Sequence, residues 1–114
     1  MSPSDLFEYL EKHGMPLHAS GVNNYALPLN EAIAFVNLCE SQDVPILGGD
    51  VYGDKNGKLS ITYDNWYVDL QEGEANHDFC TRSCDAARRY LAGFPSDFDG
   101  AFALVIAVRR PDGF

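Results

Sequence analysis

Apolar and polar positions change their period several times along this chain, and each change marks an element. Leu6, Tyr9, Leu10 and His13 recur at the i, i+3, i+4, i+7 spacing of one helical face. Ser2-Pro3 offers an N-cap followed by proline at the first helical position, and Gly14 closes the helix. Over 15–28 two prolines, Gly21 and paired asparagines break the pattern, which reads as a long connection with a short extended piece at 25–27. A second helix is predicted over 29–42, with Leu29, Ala32, Ile33, Val36 and Cys39 on one stripe and Phe35 and Leu38 widening it. So broad an apolar face implies burial against a sheet. Asp43-Val44-Pro45 ends the helix, because proline disfavours helical geometry in the residue before it.

The period then changes to two. Ile46-Leu47-Gly48-Gly49-Asp50-Val51-Tyr52 reads as a strand, Asn56-Gly57 as a tight hairpin turn, and 59–70 as the returning strand. Leu59, Ile61 and Tyr63 alternate with Ser60, Thr62 and Asp64; beyond them Trp66, Val68 and Leu70 occupy what had been the polar phase. Such a change of face predicts a β-bulge, placed near Asp64-Asn65. The paired glycines leave the backbone bare for a close approach, or mark a second bulge. After a polar turn at 71–76, a third helix is predicted over 77–92, with Cys80, Cys84, Ala87, Tyr90 and Leu91 inward. Asp78–Arg82 and Asp85–Arg89 have the spacing of exposed i, i+4 ion pairs, each worth about 0.2–0.5 kcal/mol. Gly93-Phe94-Pro95 stops this helix. The run at 101–108 is apolar on both faces, hence a strand covered on both or lying centrally, and 109–114 reads as a frayed tail.

These elements predict an α+β fold over 1–114: one domain, its core at about 21–108, with a small, mainly antiparallel sheet around the central hairpin and about three helices packed on it. A crossover through the third helix sets the last strand parallel to the second hairpin strand and beside the first.

Composition narrows the function. The chain has 114 residues, 46% of them apolar, enough for a single core. No charged-then-apolar leader opens it, and no apolar run approaches the roughly 20 residues of a bilayer span, so a soluble cytoplasmic protein is expected. Three cysteines, all in helical segments, do not make a disulfide framework and fit a reducing compartment. The net charge of −9 argues against nucleic acid or an anionic membrane as partner and favours a basic one. The excess is local: nine carboxylates lie between Glu40 and Asp78 against Lys55 and Lys58.

Catalytic and metal chemistry find little support. His77, Cys80 and Cys84 share one side of the third helix, and Cys39 could add a fourth ligand, but no Cys-x-x-Cys knuckle exists and these cysteines lie on the core stripe. Asp54-Lys55-Asn56-Gly57 looks like part of a calcium loop, yet the template puts Tyr52 and Tyr63 at its first and twelfth positions, where acids belong. His13, His18 and His77 stand in no nucleophile or zinc motif. Asp50 and Asp64, with Asp69, remain as an acid–base set without a nucleophile beside it. The alternative function is therefore a small enzyme or metal-binding protein using Asp50 and Asp64, or His77, Cys80 and Cys84.

The hairpin is better suited to recognition, because aromatics and carboxylates gather there and Trp and Tyr are enriched at binding anchors. Trp66 and Tyr67 are adjacent, so strand geometry sends one inward and the other outward. The expected partner-binding residues are Asp50, Tyr52, Asp54, Asp64, Trp66 and Tyr67, with Asp69 and Glu72 at the rim.

Ile46-Leu47-Gly48-Gly49-Asp50-Val51-Tyr52 and Asp64-Asn65-Trp66-Tyr67, with Ser83, Ala86-Ala87 and Tyr90 and the apolar last strand, resemble the immunity protein 40 family of bacterial polymorphic-toxin systems. The resemblance covers about 21–108. It implies a small cytoplasmic α+β protein, not an enzyme and without cofactor, that binds and neutralises a toxin made by the same bacterium. An acidic surface would suit a basic toxin domain such as a nuclease.

Overall fold

Asn56 and Gly57 both take positive φ, 56° and 79°, as a two-residue hairpin turn requires for its twist to match the strands it joins. Asp54 accepts the Gly57 N–H at 3.0 Å and fixes the turn. The strands on either side are β3 (Ile46–Lys55) and β4 (Lys58–Tyr67), paired antiparallel.

The computed structural model describes residues 4–18 and 21–108; the expected N-cap at Ser2-Pro3 and the tail at 109–114 lie outside them. The other elements are α1 (Ser4–His13), β1 (Met15–Pro16), β2 (Tyr25–Ala26), α2 (Leu29–Ser41), α3 (Asn76–Ala92) and β5 (Gly100–Ile106). Three strands form a sheet of order β4-β3-β5, all pairs antiparallel, so β5 runs parallel to β4 and beside β3 as expected. The pairing of Met15–Pro16 with β2 was not anticipated: a proline-containing dipeptide carries no strand period. Leu27 exchanges two backbone hydrogen bonds of 2.8 Å with Phe102, which links the small sheet to the outer side of β5. That bridge, together with burial on both faces, explains why Ala101 to Leu104 is apolar throughout.

Helices α2 and α3 cover one face of the three-stranded sheet, and α1 packs against α2 and the β1–β2 pair. Their apolar stripes meet Ile46, Val51, Phe102 and Leu104 in the main core, with Phe35, Val36, Cys39, Cys80, Cys84, Ala87 and Leu91 all buried. On the other face of the sheet a smaller cluster forms from Tyr52, Ala101 and Ala103 under Leu17 and Ala26. The arginines of α3 take other partners than the expected i, i+4 ones. Arg82 clasps Glu74 with two nitrogens, at 2.7 and 2.8 Å, and also donates to the Asp69 carbonyl, pinning the turn before α3. Arg88 bonds Asp85, Asn37 and Glu40 and thereby ties α3 to α2. Guanidinium forks reach partners on neighbouring elements more readily than a rigid i+4 match, and bidentate geometry favours them.

Candidate functional site

The geometry of the hairpin follows from its two irregularities. Ile46 opposes Ile106 and Gly48 opposes Val105, so Leu47 is an extra residue and β3 bulges at Gly48, whose φ is 154°. A Cβ at Gly48 would lie 2.2 Å from the Trp66 carbonyl oxygen. The second irregularity is larger than a one-residue bulge: Asp50 opposes Asn65 while Tyr52 opposes Ile61, so Thr62, Tyr63 and Asp64 together face Val51. Two extra residues preserve the side-chain phase, so Ile61, Asn65 and Tyr67 share one face of β4. The bulge was expected one or two residues further on and with the phase reversed.

Side-chain hydrogen bonds hold this bulge. The Thr62 hydroxyl donates to the Val51 carbonyl at 2.9 Å and accepts the Asp64 N–H at 3.2 Å, and the Asn65 amide donates to the Tyr63 carbonyl at 3.2 Å. Asn65 thus has the fold-holding role, whereas the carboxylate of Asp50 opposite it makes no hydrogen bond among the described residues and the residue is half-buried.

The expected binding residues separate onto two faces. Trp66 turns towards the helices, where its ring stacks on Tyr90 with centroids 4.4 Å apart, and Phe94, Phe98 and Phe102 continue the aromatic series. Gly49 lies beneath that indole: a Cβ there would stand 2.5 Å from the ring. Tyr52, 5% exposed, belongs to the smaller core cluster, and burial, with the Asp50 charge next, raises its phenol above the ordinary range. Neither ring is an open contact surface. Tyr67 is 71% exposed. Asp64, Asp69 and Glu72 are also open to solvent, and Asp54 is half-buried with an oxygen committed to the turn. Asp64 lies close enough to Tyr90 to raise its phenol, after the larger effect of burial.

The cysteine–histidine alternative does not assemble into a metal site among the described residues. The thiols of Cys80 and Cys84 are 4.0 Å apart in the core, and burial raises all three cysteines, Cys84 to about 12. His77 is exposed and bonded to Asp43 at 2.9 Å. Among the described residues no group of three or more His, Cys, Asp or Glu side chains could hold a metal ion. No helix there is long and apolar enough to cross a membrane.

One buried polar side chain escaped the pattern-based reading. Ser83, fully buried, accepts the Ile46 N–H at 3.0 Å and donates to the Cys80 carbonyl, so α3 satisfies the first amide of β3. The only signal was a hydroxyl on the apolar stripe of the helix.

The residues behind the resemblance are therefore one connected assembly: Gly48 at its bulge, Gly49 under Trp66, Trp66 on Tyr90, and Ser83 at the root of β3. The sequence profile described as Immunity protein 40 matches residues 16–106, from the small sheet to the end of β5. The chain belongs to the immunity protein 40 family. No curated protein and no solved structure matches it. The match begins after α1, so the immunity protein 40 unit comprises both sheets, α2 and α3. Within it, the motif glycines and Trp66 build the scaffold, and the neighbouring Asp50, Asp64 and Tyr67 are what that scaffold presents.

Proposed function

We propose that this protein is a non-enzymatic, cofactor-free cytoplasmic immunity protein that binds one cognate toxin domain stoichiometrically and blocks it. Membership of the immunity protein 40 family carries this reading. The net charge of −9 supports a basic toxin domain, because charge complementarity speeds encounter and suppresses wrong partners. The surface of contact is the exposed side of the hairpin: Tyr67 and Asp50 on the face away from the helices, Asp64 in the bulge, and Asp54, Asp69 and Glu72 around it. Trp66 from behind this surface, and Tyr52 beside it in the smaller cluster, fix the strands that display it.

The test is to look beside this gene for one encoding a large secreted protein with a variable C-terminal domain, and to co-express that domain with this protein. Restored growth and a 1:1 complex on gel filtration are expected. Absence of both rescue and complex would overturn the reading.

A further inference from the structure

Among the described residues, three that are not glycine have positive φ: Asp43, Asn56 and Tyr63. Asn56 sits in a turn that demands it, and Asp and Asn tolerate this region through their short polar side chains. Tyr63, at φ 71°, has no such reason, and its ring gains no packing in return, being 82% exposed. A strained bulky residue persists only where surrounding bonds over-determine it. Here Thr62 and Asn65 do so, through the hydrogen bonds that close the bulge.

The position matters. β4 is an edge strand, and Ile61 (41% exposed), Tyr63, Tyr67 and Leu70 (59%) leave large apolar groups open along it and just past its end. Between Lys58 and Arg82 the chain has no lysine or arginine but five carboxylates, of which Glu74 alone is neutralised by Arg82. An apolar strip whose charges between Lys58 and Arg82 are all negative fits a partner surface that is apolar and rimmed with arginine or lysine.

We propose that Tyr63 is the anchor of the toxin interface: the bulge lifts its ring off the edge strand into a pocket of the basic toxin domain, beside the carboxylate of Asp64. This rests on the toxin-binding reading above. A cation over the ring and an ion pair to Asp64 are compatible in one arginine. A bulge serving merely to keep an edge strand from pairing with other chains would be better made with glycine or asparagine at this φ.

That difference supplies the test. Tyr63→Gly and Tyr63→Asn should keep or raise the melting temperature, since both relieve the backbone. The same variants should weaken binding to the adjacent-gene toxin domain by about thirtyfold or more, as expected for an aromatic hot spot, while Tyr63→Phe retains most of the affinity. Unchanged affinity in Tyr63→Gly overturns the anchor while leaving the toxin reading intact. A melting temperature lowered by more than about 5 °C also overturns it, because Tyr63 would then be structural. Failure of the wild-type protein to bind that domain removes the toxin reading itself, and the anchor with it.

Discussion

Trp66 and Tyr67 are adjacent in sequence and opposite in environment. Trp66 lies on the helix-covered face, with a glycine backbone beneath it and Tyr90 stacked against it. Tyr67 lies on the other face of the same strand, largely in solvent. The small cluster of Leu17, Ala26, Tyr52, Ala101 and Ala103 covers that second face where β5 and the inner part of β3 lie, and reaches β4 only at Leu59. The hairpin is thus anchored on one side and displayed on the other. Residues that look equally suited to binding divide by one step of strand alternation, Trp66 packed against Tyr90 and Tyr67 open to solvent.

If the anchored side is as tightly determined as this contrast implies, the largest effect should come from Gly48→Ala. Its Cβ would enter the Trp66 carbonyl, and its φ suits glycine alone, so a loss of about 3–4 kcal/mol in urea unfolding is expected. A loss below 1 kcal/mol would mean that the bulge relaxes freely. Trp66→Ala should cost about 3 kcal/mol through the emptied stack on Tyr90. Ser83→Ala should cost about 2 kcal/mol, because the buried Ile46 N–H loses its acceptor; thermal unfolding measures both.

A smaller effect belongs to the turn before α3. The Arg82 hydrogen bonds, with one from the Gln71 backbone, hold Glu74 well below its ordinary 4.5, at about 2. Its contribution is complete above pH 4.5 and is lost as the pH falls through 2, since the unfolded chain takes up the proton first. The stability gap between wild type and Glu74→Gln should therefore close over that window in acid titrations followed by circular dichroism. The smallest stability effect should be at Tyr67. Tyr67→Ala is expected to stay within about 0.5 kcal/mol of wild type while weakening toxin binding. A large loss of stability there would end the distinction between the two faces.

Much of this architecture was legible beforehand because it rests on local chemistry. Asn56-Gly57 dictates a hairpin, the apolar stripes of α1 to α3 give their inward faces, and a crossover connection sets the direction of the last strand. The candidate site was legible only in part. Of the residues singled out for binding, Asp64 and Tyr67 are exposed and Asp50 is half-buried, whereas Tyr52 is buried and Trp66 is half-buried against Tyr90. Asp78–Arg82 and Asp85–Arg89 had suitable spacing, yet Arg82 is engaged by Glu74 upstream and Asp85 by Arg88.

By itself, the sequence determined the elements, their order, the acidic balance and the family, since each depends on residue type and spacing along the chain. Tertiary structure decided which aromatic is buried, which charge is paired and how the bulge is built. Alternation says that Trp66 and Tyr67 face opposite ways, but only the packed position of α3, beyond the loop that follows β4, says which way is in. The size of the bulge was likewise settled across the sheet, where Val51 meets Thr62, Tyr63 and Asp64 at once. No pattern along one strand records how many residues its neighbour sets against it.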